Sequence, residues 1–214
     1  MTALILVRHG ETTTHAENRY TGVTDVGLTP DGERQAELLG RWARSAGLTA
    51  IVSSPLSRCV RTARDAAAVT KLQISSDSRL RELDFGSVEG LSAGEIEVRL
   101  PGVMEAFRSD PVSHPFPDGE DVRDAANRAV EALVAIAAER ADDDRVLVVA
   151  HSTLLRLALC RLLGLPLERY RTIFPYLDNC ARTELRIRGA DVALIGFNLP
   201  VSSPDRNINK EAIL

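Results

Sequence analysis

Two unbroken apolar runs limit what this chain can become. Leu4-Ile5-Leu6-Val7 and Val146-Leu147-Val148-Val149-Ala150 are continuous rather than alternating, as strands covered on both faces must be. Each stops on polar chemistry, Arg8-His9-Gly10-Glu11 after the first and His151-Ser152 after the second. A shorter run, Ala50-Ile51-Val52, stops on Ser53-Ser54. Helical patterns fill the gaps. Thr29-Pro30 offers a cap and a first-turn proline before a stripe of Ala36, Leu39, Trp42 and Ala43, predicting a helix over 30–46. Ser54-Pro55 reads the same way ahead of Cys59, Val60, Ala63 and Ala67, predicting a helix that runs to about Val69. Residues 121–140 and the segment after His151 complete the helical set.

Strand and helix in alternation predict an α/β protein, three layers α/β/α deep with a mostly parallel central sheet. A short strand is expected over 72–75, and an antiparallel edge from residues 183–187 and 192–195 around Gly189. The 214 residues, 44% of them hydrophobic, suffice for one domain spanning 1–214. Residues 84–120 gather Pro101, Pro111, Pro115 and Pro117 and read as an inserted cap of short helices and loops. The polar stretch 198–214, with Pro200 and Pro204, reads as a flexible tail.

A net charge of −4 gives no whole-molecule attraction to nucleic acid or to an anionic membrane, so neither is expected as a partner. Any phosphate binding must come from a local site. All basic residues except Lys71 and Lys210 are arginine, which fits either a demand for planar oxyanion-binding forks or an arginine-rich codon preference. Three cysteines, Cys59, Cys160 and Cys180, match neither a disulfide framework nor a metal-site spacing. They read as core residues in a reducing compartment. With an N-terminal apolar run too short for a signal peptide and no run near the ~20 residues of a membrane span, the expected location is cytoplasmic.

In open α/β sheets the ligand crevice lies beyond the carboxyl ends of the strands. Arg8, His9, Arg58 and His151 all fall there, with Arg58 and His151 beside predicted helix N-termini. Guanidinium forks, neutral imidazoles and helix-terminal N–H groups make a pocket suited to a phosphate dianion. Gly10 lets the backbone turn and approach a ligand closely. The tetrapeptide Arg-His-Gly-Glu has only about 0.002 expected chance occurrences at this composition. No cofactor and no metal is expected, since His9, His15, His114 and His151 form no metal-binding spacing.

At these residues the chain resembles the histidine phosphatase superfamily, branch 1, whose phosphoglycerate mutase-like fold it would then share. Supporting stretches are Arg19-Tyr20-Thr21-Gly22, Leu28-Thr29-Pro30-Asp31-Gly32, Ser53 through Ala63, Leu80 through Gly90, and Val148-Val149-Ala150-His151. The resemblance implies His9 as nucleophile, Arg8, Arg58 and His151 as ligands of the transferred phosphoryl group, and Glu82 as general acid/base. Further substrate contacts are expected from Gly10, His15, Thr21, Gly22 and Ser152. His15 stands where many members carry Asn, and Ser152 where many carry Gly. For His15 an added phosphate contact and a solvent-facing position are both open.

The resemblance implies a metal-independent phosphomonoesterase acting on a small phosphorylated metabolite. The alternatives are a cofactor-dependent phosphoglycerate mutase using the same phosphohistidine, and a non-catalytic phosphate-binding module. The last fits poorly, because His9, Glu82, Arg8, Arg58 and His151 are all present. A homodimer is compatible with the sequence.

Overall fold

A computed structural model describes residues 1–202. Its sheet has six strands in the order β3-β2-β4-β1-β5-β6: β1 (Thr2–Arg8), β2 (Ala50–Ser53), β3 (Ile74–Ser76), β4 (Arg145–Ala150), β5 (Arg182–Arg188) and β6 (Asp191–Leu199). The first four run parallel, and β5 and β6 form the antiparallel edge that the sequence predicts.

The apolar runs behave as two-faced strands. On β1, Leu4 and Leu6 join one core while Ile5 and Val7 join the other; on β4, Val146, Val148 and Ala150 face the first and Leu147 and Val149 the second. The second core is closed by α1 (Pro30–Ala43) and α2 (Ser57–Thr70), through Leu39, Ala43, Cys59, Ala63 and Ala66. The first is closed by α5 (Val122–Ala138) and α6 (Ser152–Leu162). Continuous hydrophobicity thus records helices on both faces.

Between β3 and α5 lie two 3₁₀ turns and the short helices α3 (Ala93–Arg99) and α4 (Val103–Ser109). Their anchor is aromatic. Phe107 stacks on Phe116 with ring centroids 4.0 Å apart, and Tyr20 meets Phe85 and Phe116 edge-on, each at 5.2 Å. A last short helix, α7 (Tyr170–Ile173), follows α6.

Three boundaries differ from the sequence reading. Helix α2 starts at Ser57 rather than at a Ser54 cap, because the Ser54 amide bonds Val149 O at 2.9 Å and its hydroxyl bonds His151 at 2.8 Å. Helix α1 ends at Ala43, and the residues up to Gly47 form turns. The expected tail begins too early, since Asn198 and Leu199 belong to β6, with Asn198 tied to Asp178 by side chain and backbone. The rest of that expectation, from residue 203 onward, lies outside the described residues.

Gly10 departs from its expected role as well. A Cβ there would sit 2.6 Å from Gly32 O, so its missing side chain serves the packing of the β1 end against α1. Gly32 is tighter still, with a Cβ falling 2.1 Å from Glu11 O. Removing a helical glycine ordinarily gains about 1 kcal/mol, but a backbone clash costs about 1–3 kcal/mol. Gly32→Ala is therefore expected to lower unfolding free energy in urea titrations by up to about 2 kcal/mol; a stabilised variant would show that the loop after β1 yields.

Candidate active site

The site begins as a register. Arg8 pairs with Ala150 across the parallel β1–β4 ladder, and the His9 amide bonds Ala150 O at 3.0 Å. His9 and His151 therefore leave the sheet side by side. Their ring centroids are 5.2 Å apart in an edge-on arrangement, and a third imidazole, His15, lies 5.9 Å from His9.

The hydrogen bonds of His9 settle its tautomer. Nδ1 lies 2.7 Å from Gly10 O, and a carbonyl can only accept, so Nδ1 carries the proton and Nε2 keeps its lone pair. Burial, then the charges of Arg58 and Arg8, hold its pKa well below the ordinary histidine range. His151 is pushed the same way by burial, Arg58 and His9, and bonds Ser54 Oγ at 2.8 Å. Both rings are neutral at neutral pH.

A cleft of about 540 Å³ opens over His9. Of the expected site residues, Arg8, His9, His15, Thr21, Arg58, Glu82 and Ser152 line it. His151 does not reach the lining; it is fully buried beside His9. Gly10 and Gly22 are structural neighbours instead. The Gly10 amide donates to Thr62 Oγ1 at 2.9 Å, and Gly22 O accepts from Arg58 Nη2 at 2.6 Å.

Arg58 is 1% exposed and is aimed by the loop after Tyr20, through Gly22 O and Thr24 O. That loop is pinned in turn by Glu89, which accepts from the amides of Val23 at 2.7 Å and Thr24 at 2.8 Å. Glu89 and Glu11 are therefore loop ties, Glu11 accepting from the Thr29 hydroxyl at 2.8 Å. Arg8 donates to Leu177 O at 2.8 Å and to His15 Nε2, while its buried Nε has no partner. His15 thus faces Arg8 in the cleft, with its Nδ1 2.7 Å from Thr12 Oγ1 and 3.0 Å from the Thr12 amide. Burial and Arg8 lower its pKa.

Glu82 is 5% exposed, and its carboxyl is engaged by backbone amides. Oε1 accepts from the amides of Leu154 at 2.8 Å and Leu83 at 2.9 Å, and Oε2 from Thr153 at 3.0 Å. The carboxyl thus caps the N-terminus of α6, and Oε2 retains a lone pair for a proton. Its backbone is clamped by Arg128 of α5, which donates to Arg79 O at 2.6 Å, Arg81 O at 2.7 Å and Glu82 O at 3.1 Å. Glu120 holds that guanidinium at 2.6 and 2.7 Å.

Sequence reasoning missed Arg128, and also Tyr20, Arg108, Arg156 and Arg171, which line the cleft. One signal was available for Arg156, which follows Ser152 by four residues and so shares its helix face. Among the described residues no group of three or more His, Cys, Asp or Glu is arranged to hold a metal ion. No helix there is long and apolar enough to cross a membrane.

Comparison with known proteins places this geometry in a family context. The sequence profile of the histidine phosphatase superfamily (branch 1) matches residues 4–200. A curated relative from Salmonella arizonae, named probable phosphoglycerate mutase GpmB, is 38% identical over 181 residues, covering 85% of this chain and 83% of that protein. Among solved structures, Bacillus stearothermophilus YhfR superposes with a TM-score of 0.85 at 30% identity, covering 91% of this chain and 96% of that one. A mycobacterial glucosyl-3-phosphoglycerate phosphatase in complex with VO3 superposes with a TM-score of 0.84 at 28% identity, covering 92% and 98%.

The buried imidazoles make stability pH-dependent. Their folded pKa values lie below the unfolded value near 6.5, so below that pH the unfolded chain binds protons that the folded one refuses. Stability is complete above about pH 7 and is expected to fall as pH drops through 6.5 toward 5, by up to about 1.4 kcal/mol per pH unit per imidazole. Thermal melts across this range check it. The double variant His9→Gln, His151→Gln should flatten the slope, and an unchanged slope would place its origin elsewhere.

Proposed function

The chain belongs to the histidine phosphatase superfamily, branch 1, and from that membership we propose that it is a metal-independent phosphomonoesterase working through a phosphohistidine on His9. The observation that carries this reading is the His9 tautomer, with Nδ1–H fixed on Gly10 O and Nε2 free as a nucleophile at the foot of an arginine-lined cleft.

Nε2 attacks phosphorus in line with the ester oxygen, forming the N–P bond as the P–O bond breaks. The leaving oxygen takes a proton from Glu82, whose position at the α6 N-terminus is fixed by three amides. Water then attacks the phosphohistidine, returns a proton to Glu82 and releases phosphate. The unpartnered Nε of Arg8 and the remaining donors of Arg58 grip the equatorial oxygens. Ser152 adds a hydroxyl from the cleft wall. His151, fully buried, packs edge-on against the His9 ring and holds it in place.

The name of the Salmonella relative supports a second reading, in which an alcohol of a phosphoglycerate accepts the phosphoryl group in place of water. The phosphatase names among the structural relatives, including an Escherichia coli protein named a putative α-ribazole-5′-P phosphatase at 25% identity, favour hydrolysis. Measuring free phosphate against isomerised phosphoglycerate separates the two.

His9→Ala should lower turnover by roughly three orders of magnitude or more with the fold retained, since the covalent route is gone. Turnover near that of the unmodified enzyme contradicts the assignment. Glu82→Gln should slow alkyl phosphates about a hundredfold and aryl phosphates far less, because an aryl oxygen leaves without a proton. Arg128→Gln, acting through the Glu82 backbone, should show the same split at about tenfold. Equal slowing of both ester classes by Glu82→Gln would remove Glu82 from the acid role.

A further inference from the structure

Resting on the phosphohistidine reading above, we propose that Thr62 and Asn179 are positioning residues that clamp the two ends of the His9–Gly10 peptide group, and so hold His9 in the tautomer that leaves Nε2 free to attack.

Residue 10 is where such a restraint is needed. The acceptor that keeps the proton on His9 Nδ1 is Gly10 O at 2.7 Å, one residue on from the ring it orients. The torsions between ring and carbonyl include ψ of His9 and φ of Gly10, and a glycine restrains φ less than any other residue does. A side chain at position 10 is excluded by Gly32 O. The restraint therefore comes from outside the residue.

The peptide between the two residues is bonded at both ends. Its carbonyl, His9 O, accepts from Asn179 Nδ2 at 2.7 Å, and its amide, Gly10 N, donates to Thr62 Oγ1 at 2.9 Å. A peptide group is planar, so two such bonds fix the plane and with it both torsions. The clamping side chains come from separate elements, Thr62 from α2 and Asn179 from the segment between α7 and β5. Thr62 is fully buried, and its hydroxyl donates to Arg58 O at 2.7 Å while it accepts from Gly10. One hydroxyl thus joins the turn after β1 to the helix that carries Arg58. The Asn179 segment is seated on the same strand end, since the Cys180 amide donates to Arg8 O at 2.9 Å and Leu177 O accepts from Arg8 Nη1 at 2.8 Å. Neither Thr62 nor Asn179 lines the cleft, so both act through His9.

Four variants separate this clamp from a general structural role. Thr62→Val keeps the shape and removes the hydroxyl, Thr62→Ser keeps the hydroxyl, and Asn179→Ala removes the second donor. Thr70→Val is the control: its hydroxyl makes the same kind of helix bond, to Ala66 O at 2.7 Å, away from the site. Two-bond ¹H–¹⁵N NMR of the His9 ring reads the tautomer without any substrate, and circular dichroism checks folding. The Nδ1–H signature is expected in the unmodified protein, in Thr62→Ser and in Thr70→Val, and a mixture with Nε2–H in Thr62→Val and Asn179→Ala. In the last two, kcat/KM should fall about ten- to hundredfold for alkyl and aryl phosphates alike, because the attacking atom is lost or misplaced. A ring that stays Nδ1–H in either of them overturns the inference and leaves the phosphatase reading intact. An equal loss in Thr70→Val, or a changed tautomer with undiminished kcat/KM, overturns it as well. Should Thr62→Val not fold, Asn179→Ala decides by the same signature. Should the unmodified protein hydrolyse no ester, the phosphatase reading fails, and the ring signatures alone decide the clamp.

Discussion

The ladder between β1 and β4 is the constraint on which the site depends. Because Arg8 faces Ala150 in a parallel register, the next residue on each strand is a histidine, and the two buried rings meet edge-on at the foot of the cleft. A one-residue slip would turn each strand's apolar side chains to the opposite core and separate the imidazoles. The packing of both faces of the sheet and the pairing of the rings therefore express one register. Burial beside guanidiniums then keeps both rings neutral, so His9 Nε2 is a base without help from a carboxylate partner.

Around that pair the protein spends its polar groups on aiming rather than on neutralising. Arg58 is directed by two carbonyls of a loop that Glu89 holds by its amides. Glu82 is directed by the amides of α6 and by a backbone clamp from Arg128 on α5. Helix α6 thus positions both the acid and, one turn later, Arg156. The cap's aromatic cluster reaches the same cleft through Tyr20, which meets Phe85 and Phe116 edge-on and lines the cleft together with Arg171. Positioning by neutral partners leaves cationic charge available to a ligand.

The legible part of the sequence was the part governed by local pattern. Continuous apolar runs gave the two-faced strands, and the residues that follow them gave His9, Arg8 and His151. Thr29 and Pro30 marked the start of α1 correctly, because Thr29 Oγ1 caps Gly32 N at 3.0 Å. The identical-looking Ser54-Pro55 misled, since the Ser54 hydroxyl is engaged by His151, 97 residues away. Gly10 was read as room for a ligand when the close neighbour is Gly32. Arg128 was invisible for a related reason: its acceptors are main-chain carbonyls, which carry no residue signature. In a chain whose cations are nearly all arginine, composition could not say which of them would converge on the cleft.

The central claim is that His9 is neutral, protonated on Nδ1, and attacks through Nε2. The most direct measurement is to mix the enzyme with a ³²P-labelled phosphomonoester, denature within milliseconds in alkali, where phosphohistidine survives, and map the label by proteolysis and NMR. The account predicts label on His9 as the Nε2-phosphoryl species; label on another residue, on Nδ1, or absent during active turnover would contradict it.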